Sequence, residues 1–559
     1  MLDVEPVVVG PTWRRLPDGS FDLPERTLAW QIIPWCWEYL KQPDGPQADE
    51  PWQFTNEQAR FLAWWYAVDE RGRFAYRRGV LRRMKGWGKD PLGAVICAVE
   101  FVGPCRFDGW DASGEPVAVP HLASFVSTAA VSKEQTQNTM TLFPGLFTDD
   151  CIREHSIDLG KEIIYADRGR RRIKAVTSSP RALEGNRASF TLMNETQHWI
   201  SSNEGHEMAK VIRRNLGKSR DGSARALAIT NAHQPGEDSV GEQDWDGHLA
   251  VQEGRYRESG VLYDSIEAPF DTKMEDRERL AAGLRAARGD SVWLDVERLI
   301  DEIYDYNTTR SESRRFYLNQ VVAAEDAYFD PLQVKAAMVD APPFADGERV
   351  VMFGDGSKSD DATGLVLVRV SDGVACVHHV QQPKAGEIVN REAVDYAVRD
   401  AMDRFRVKAF WFDPSHTKDS DAEGDSRFWW PLVDDWSQRY GKKLSFHPTK
   451  SGLKRHAVAF DMSTRLSQSM IVPAYEQLAS DIENGEFKFL RSDWLLNHLV
   501  NAKRRPGGFG ISMGKDNRES KKKIDLAVCA AGARMLWRLV KLNDRTGTPG
   551  RGRVIVMAD

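Results

Sequence analysis

Two sets of residues in this chain have types and spacing suited to phosphate chemistry. In the first, Gly79 to Phe101 (GVLRRMKGWGKDPLGAVICAVEF) passes from an apolar run through a basic, glycine-containing loop into an apolar helix. Gly86 and Gly88 let backbone N–H groups close on phosphate oxygens, the helix N-terminus adds partial positive charge, and Lys89 can reach the β and γ phosphates. The pattern GxxxxGK[ST] is not met, because Arg83 stands where the first Gly belongs and Asp90 replaces the metal-binding hydroxyl. A basic turn with Asp90 as N-cap and Pro91 at the first helical position accounts for the same residues. Farther on, Phe190 to Glu195 is an apolar run ending in polar residues, which offers Glu195 as a water-activating general base and Asn194 at the position of a magnesium ligand. The loop gains an acid at Asp90 where the strand lacks one at Asn194, so the expectation is that Asp90 carries the metal with Asn194 supporting it. Gln58, about thirty residues upstream, is a candidate reader of an adenine edge, or solvated surface. The cluster Arg77, Arg78, Arg82, Arg83 and Lys85 can supply an arginine finger or form a solvated basic face, and Thr230-Asn231 ends a strand where γ-phosphate sensors sit, or simply caps it.

The second set is acidic. Asp355 ends an apolar strand (VMFGD), and Asp413 ends another fifty-eight residues later (FWFDP), where Pro414 blocks continuation. Asp525 opens an apolar helix (KIDLAVCAAGA) 112 residues beyond that. Each alone reads equally as a turn or a cap. Placed in order on strand, strand and helix, they can converge on two magnesium ions about 4 Å apart, the arrangement that cuts phosphodiesters. Such a cluster repels itself until metal arrives. Between the second and third acids, positions 501–523 hold eight basic residues against two acids: Lys503, Arg504, Arg505, Lys515, Arg518, Lys521, Lys522 and Lys523. This is a candidate DNA-backbone patch or a solvated loop.

These residues need two scaffolds. Over Pro51 to Ala232, apolar runs at Gly79–Met84, Leu122–Ser127, Arg172–Thr177, Ser189–Asn194 and Ala226–Thr230 alternate with helical stretches, as in a parallel α/β sheet. From Asp244 to Ala341 strands are not expected, and helices at Val292–Tyr304 and Ser311–Ala324 suggest a lid or linker. A hairpin from Arg349–Phe353 to Thr363–Arg369 opens a second sheet near residue 345. The length of 559 residues accommodates two large domains, and 41% hydrophobic with 28% charged residues excludes wholesale disorder. Lys plus Arg total 76 against 82 Asp plus Glu, so a net charge of -6 gives no global attraction to polyanions and any such site must be local. Cys36, Cys97, Cys105, Cys151, Cys376 and Cys529 lie far apart with no CxxC pair, which fits a reducing cytoplasm. No apolar run is long enough for a bilayer, and no signal-peptide layout opens the chain.

From Gln53 to Ala533 the order of parts resembles the large terminase subunit of tailed bacteriophages. The resemblance rests on WQFTNEQ, RRMKGWGKD, SFVSTAAVSKEQTQ, SSPRALEGNRASFTLMNETQHW, SRRFYLNQ, FGDGSKSDDATGLV, FWFDPS and HLVNAKRR followed by KIDLAVCAAGA. It implies an α/β architecture: an N-terminal P-loop ATPase with a helicase-like parallel sheet (1–245), a helical lid or linker (246–344), an RNase H-like nuclease (345–542) and a flexible tail (543–559). Lys89 then looks like the phosphate-binding lysine, Glu195 like the catalytic acid, Arg82 or Arg83 like the finger and Gln58 like the adenine contact. Asp355, Asp413 and Asp525 look like nuclease metal ligands. The implied function is ATP-driven packaging of double-stranded DNA into a procapsid in the host cytoplasm, with endonuclease cutting of concatemers. The implied cofactors are ATP and Mg2+, with Mn2+ as a substitute. The implied partners are DNA, the portal, a small terminase subunit and further copies in a ring, with no membrane. Two other readings use the same residues: a recombinase or transposase with a regulatory ATPase, and a nuclease on a degenerate nucleotide-binding scaffold.

Overall fold

The computed structural model describes residues 2, 4–177, 180–185, 187–219, 222–257, 260–305, 308–359, 361–384, 387–414, 428–448, 456–515 and 522–546. The chain divides into two units, Met1–Val322 and Ala323–Asp559.

The first unit contains β1 (Val7–Val9), β2 (Arg78–Arg82), β3 (Arg106–Trp110), β4 (Pro116–Val119), β5 (Phe125–Ala130), β6 (Asp158–Leu159), β7 (Ile163–Ala166), β8 (Arg171–Thr177), β9 (Phe190–Asn194), β10 (Arg225–Thr230) and β11 (Val261–Glu267). Apart from the separate β3–β4 hairpin, they form one nine-stranded sheet in the order β1-β11-β2-β10-β9-β5-β8-β7-β6. The six strands from β11 to β8 run parallel, with antiparallel strands at both edges. Both faces are covered. Leu81, Leu192, Leu227 and Ile229 face one core, while Val80, Met193, Ala226 and Ala228 face the other. Two-sided burial is why these strands read as continuous apolar runs.

One expectation fails here. The stretch assigned to a strandless lid contains β11, which pairs in parallel with β2 from Val261↔Arg78 to Ser265↔Arg82. Polar Asp264 and Ser265 disguise it in sequence, yet both are fully buried. The first unit therefore extends past residue 245, and the expected helices shorten to Val296–Ile303 and Arg310–Phe316.

The second unit contains β12 (Met338–Val339), β13 (Arg349–Asp355), β14 (Thr363–Arg369), β15 (Ala375–Gln381), β16 (Arg406–Asp413), β17 (Phe489–Leu490), β18 (Lys503–Gly507) and β19 (Gly510–Gly514). Its sheet has the order β12-β17-β15-β14-β13-β16. β13, β14 and β15 form an antiparallel meander, and β16 joins β13 in parallel, the RNase H-like arrangement. The helix Asp525–Thr546 lies against β13 and β14 on one face and the helix Arg391–Arg404 covers the other. The approach of the first is close: a Cβ on Gly364 would stand 2.4 Å from Leu526, so only glycine fits. That helix extends to Thr546, into the segment expected to be a tail, and 547–559 lie outside the described residues. Among the described residues, no helix is long and apolar enough to cross a membrane.

Candidate functional site

The phosphate loop connects β2 to the helix Lys89–Val102. Gly86 and Gly88 have φ of 82° and 97°, values that favour glycine, and a Cβ on Gly88 would meet the Trp293 ring at 3.1 Å. Gly88, rather than Asp90, occupies the N-cap, so Asp90 lies in the first turn. Lys89 is buried and its Nζ donates to the carbonyls of Arg83 (3.3 Å) and Met84 (2.9 Å). Burial depresses its basicity, and the charges of Glu195 and Asp90 partly restore it. Burial raises the Asp90 carboxyl, with Lys89 opposing and Glu195 reinforcing the shift.

β10 lies between β2 and β9, so the loop strand and the acid strand are two strand spacings apart, roughly 10 Å. Glu195, immediately after β9, adopts φ 54° and ψ 50°, a left-handed conformation that costs a non-glycine residue on the order of 1 kcal/mol. Gln197 holds its carboxylate through Nε2, and His198 Nε2 stands 4.0 Å from it. A polar chain continues from there. Thr230 donates its hydroxyl to Gln197 Oε1 at 2.6 Å, the Asn231 amide reaches the same oxygen at 3.3 Å, and Asn231 Nδ2 donates to the Arg83 carbonyl at 2.8 Å. That carbonyl also accepts from Lys89, so the acid and the loop lysine share one network. Thr230 and Asn231, at the end of β10, both belong to it. Gln197 was not anticipated, because a polar residue just past a strand end carries no distinguishing sequence signal.

Several expectations are corrected. Asn194 is fully buried and donates to Thr139 Oγ1 at 2.6 Å, and no hydrogen bond joins it to Asp90. Among the described residues its Oδ1 has no hydrogen-bond partner. Neither Arg82 nor Arg83 projects as a finger. Arg83 is fully buried, with Nε 2.8 Å from Glu57 Oε1 and Nη2 paired to Asp264, while Arg82 pairs with Glu267 at 2.9 Å. Gln58 completes a capping box with Thr55, accepting from its amide at 3.2 Å, although its Nε2 lies near Gly88.

In the second unit, register does the positioning. Asp355 and Asp413 are direct partners on parallel β13 and β16, and Asp355 faces Gly364 across β14, the residue against which Leu526 packs. Asp525 thus opens its helix beside both strand acids. Burial pushes the Asp355 carboxyl well above its usual range, and the charges of Asp525, Asp413 and Asp361 add to the shift. Burial, with Asp361 next, moves Asp525 up to about 6, and among the described residues its Oδ2 has no hydrogen-bond partner. Asp413 Oδ1 accepts from the Met462 amide at 3.3 Å. Among the described residues, no three such side chains are already gathered tightly enough to grip an ion. Like charges without a cation hold apart. The orphaned Asp525 oxygen and the all-carboxylate donor set fit a hard divalent cation such as magnesium.

Asp361 is a fourth acid that sequence reasoning passed over, although it lies six residues beyond Asp355 in the same hairpin. Burial would raise it, but hydrogen bonds and charge from Lys515 and Lys523 hold it below its ordinary value. Lys515 and Lys523 are therefore committed to the acid cluster rather than free for DNA. Lys503 pairs with Asp326 at 2.6 Å, Arg504 Nε donates to the Ala327 carbonyl at 3.1 Å, and Arg505 donates to the carbonyls of Arg504 (3.1 Å) and Lys515 (2.7 Å). Lys522 is described, whereas Arg518 and Lys521 lie outside the described residues. Behind the cluster, His498 Nδ1 accepts the Leu526 amide at 3.0 Å, and burial with the two lysine charges moves this imidazole down to about 4.

No known family model matches the chain. It is 38% identical to the gene 13 protein of Mycobacterium phage L5 over 591 aligned positions, covering 96% of each, and 38% identical to the gene 13 protein of Mycobacterium phage D29 over 599, covering 97% of each. Among solved structures it is similar to the large terminase of bacteriophage HK97, with 16% identity, a TM-score of 0.45 and coverage of 91% of this chain and 100% of that one. It is also similar to the magnesium-bound large terminase nuclease of thermophilic phage G20c, with 11% identity, a TM-score of 0.25 and coverage of 38% and 97%.

Proposed function

We propose, for a chain that belongs to the family of the mycobacteriophage gene 13 proteins, the function of a large terminase subunit: an ATP-driven motor that packages double-stranded DNA and cuts it with a metal-dependent nuclease. The observation that carries this reading is the pairing of both sites on one chain, a phosphate loop wired to Glu195 and a strand–strand–helix trio of aspartates.

In the first unit, the Gly86–Gly88 backbone and Lys89 hold the triphosphate. Glu195, fixed by Gln197, takes the proton of the attacking water, and Lys89 offsets charge developing on the phosphoryl oxygens. The Gln197–Thr230–Asn231 chain ties the position of that acid to the loop carbonyl that Lys89 touches. Asp90, whose carboxyl feels the charges of Lys89 and Glu195, is the candidate to support the nucleotide's own cation. In the second unit, Asp355, Asp413 and Asp525 hold magnesium or manganese, with Asp361 adjoining. Bound there, the metal supplies Lewis acidity that activates water and stabilises the leaving oxygen. Lys515 and Lys523 keep Asp361 ionised while the cluster fills. Lys522 and the hairpin cations Arg504 and Arg505 are the remaining candidates to face DNA phosphates. The reading also implies a portal, a small terminase subunit and a ring of copies in the host cytoplasm.

The test is plasmid cleavage and DNA-stimulated ATP hydrolysis by the full chain. Asp355→Ala, Asp413→Ala and Asp525→Ala should each abolish cleavage with ATPase retained. Normal nicking by all three folded variants would refute the nuclease assignment, and joining of a pre-cut end to target DNA would mark a strand-transfer enzyme instead.

A further inference from the structure

The arginines around the phosphate loop differ in what neutralises them. Arg82 and Arg83 are matched by Glu267, Glu57 and Asp264. Arg315, in the helix Arg310–Phe316, is only 7% exposed, and among the described residues no carboxylate lies within ion-pairing distance of it. Its Nη1 donates to Gln234 Oε1 at 2.7 Å, its guanidinium lies 5.2 Å from the Phe316 ring centroid, and its Nε is buried with no hydrogen-bond partner among the described residues. Glu237 and Glu312 act on it only at longer range. A guanidinium removed from water without an anion is costly, and it remains charged at any ordinary pH. An anion is what this position lacks.

Its surroundings indicate which anion. The Phe316 carbonyl accepts the Lys85 amide at 2.7 Å, which fixes the end of this helix against the phosphate loop. Asn319 Nδ2 donates to the carbonyls of Arg82 (3.3 Å) and Ile266 (2.7 Å), and Gln320 Nε2 to that of Pro269 (2.7 Å), so the segment is stapled to β2 and β11. Gln234 follows Thr230, whose hydroxyl leads through Gln197 to Glu195. The charge of Arg315 also bears on His198, which stands 4.0 Å from the Glu195 carboxylate. Loop, sensor strand and catalytic acid bracket the guanidinium together.

We propose that Arg315 is the arginine this chain supplies in cis to the γ-phosphate of ATP, with Gln234 holding it until nucleotide binds. This rests on the reading of the first unit as an ATPase. In hydrolysis, the water oxygen bonds to the γ-phosphorus as the bridging P–O bond breaks. The electron pair leaves with ADP and the water proton passes to Glu195. Arg315 forms no covalent bond; its N–H groups donate to γ-phosphoryl oxygens as their charge develops, which makes it a catalytic residue absent from the SRRFYLNQ segment's sequence reading.

The experiment measures binding of Mg-ADP and of a non-hydrolysable Mg-ATP analogue, together with steady-state ATPase, on full-length protein. Arg315→Ala and Arg315→Gln should weaken analogue binding at least about 10-fold, leave ADP binding within about 2-fold, and lower kcat at least about 100-fold. Arg315→Lys should restore part of the analogue affinity. Equal losses for both nucleotides, or an unchanged analogue affinity, would overturn the proposal, and Arg315→Gln decides the matter should Arg315→Ala not fold. Mixing Arg315→Ala with Lys89→Ala subunits should restore no activity, and rescue would overturn the cis assignment. Wild-type nucleotide binding that is indifferent to Lys89→Ala would overturn the ATPase reading itself, and this proposal with it.

Discussion

Behind the phosphate loop, Arg83 meets Glu57 and Asp264, and Glu100 sits between the half-buried Arg106 at 2.7 Å and Arg225 at 2.5 Å, the others all buried. In the second unit, the charges of Asp413 and Asp525 act on Asp355, and the lysines that reach the cluster pair with Asp361 instead. The first unit balances most of its interior charge within the chain, whereas the second leaves negative charge uncompensated. Burying an unmatched charge is expensive, so its persistence indicates a ligand of opposite sign. By that logic the second unit awaits a cation, and Lys89 with Arg315 marks where the first awaits an anion.

The largest effects should come from removing the unmatched groups, and they should stay within their own unit. Asp355→Asn is expected to lower plasmid cleavage by about 1000-fold or more while DNA-stimulated ATP hydrolysis stays within about 2-fold. Lys89→Ala should lower ATP hydrolysis by about 100- to 1000-fold and leave cleavage of relaxed plasmid unchanged. Assaying both activities on both variants would break the comparison if either substitution suppressed the two together.

Stability should separate the units by sign. Arg83→Ala strands Glu57 and Asp264 in the interior, and Glu57 is already raised to about 7 by burial despite Arg83. The expected loss is about 3–5 kcal/mol in denaturant unfolding of the first unit. Asp355→Asn, by contrast, relieves repulsion and should stabilise the metal-free second unit by about 1 kcal/mol, detectable as slower amide exchange along β13.

Much of this was legible in sequence. Apolar runs buried on both faces announced β2, β9, β10, β13 and β16, and the acids at the ends of β13 and β16 fell into register because both strands end on them. What stayed hidden depended on partners distant in sequence. β11 looked like linker because Asp264 is tolerable in a buried strand only once Arg83 is beside it. Arg82 and Arg83 looked available because Glu57 and Glu267 come from other elements. Asp361 was passed over because its pairing with Lys515 and Lys523 closes loops of 154 and 162 positions.

A pH titration sharpens the contrast further. Asp525 titrates near 6 in the folded protein, above its ordinary 3.8, so between these values the native state holds a proton that the unfolded chain releases. Stability therefore falls as pH rises through that window, and above about 6 the full repulsion is expressed. In chelator, exchange protection of β13 should decrease from pH 5 to pH 7, and saturating Mg2+ should abolish the trend by binding the ionised cluster. A flat metal-free profile would mean that Lys515 and Lys523 already compensate the whole cluster.

The smallest expected effect concerns Asp90 and Asn194. Their sequence positions suggest that a carboxylate moved from strand to loop, which would make Asp90→Ser and Asn194→Asp mutually compensating. In the structure Asn194 spends its amide on Thr139 while its Oδ1 has no hydrogen-bond partner among the described residues, and the neighbouring charges that act on Asp90 are Lys89 and Glu195. Asn194→Asp would place a carboxylate against the Thr139 hydroxyl, which can turn to donate to it, so that change alone should be mild. Asp90→Ser removes a negative charge that helps sustain the Lys89 ammonium and should act through Lys89 instead. With no shared partner, the two substitutions should be additive to within about 0.5 kcal/mol in a double-mutant cycle on ATPase rate. A coupling above about 1.4 kcal/mol, a tenfold rescue, would show that the nucleotide's cation joins the two residues when bound and that the charge really was exchanged between loop and strand.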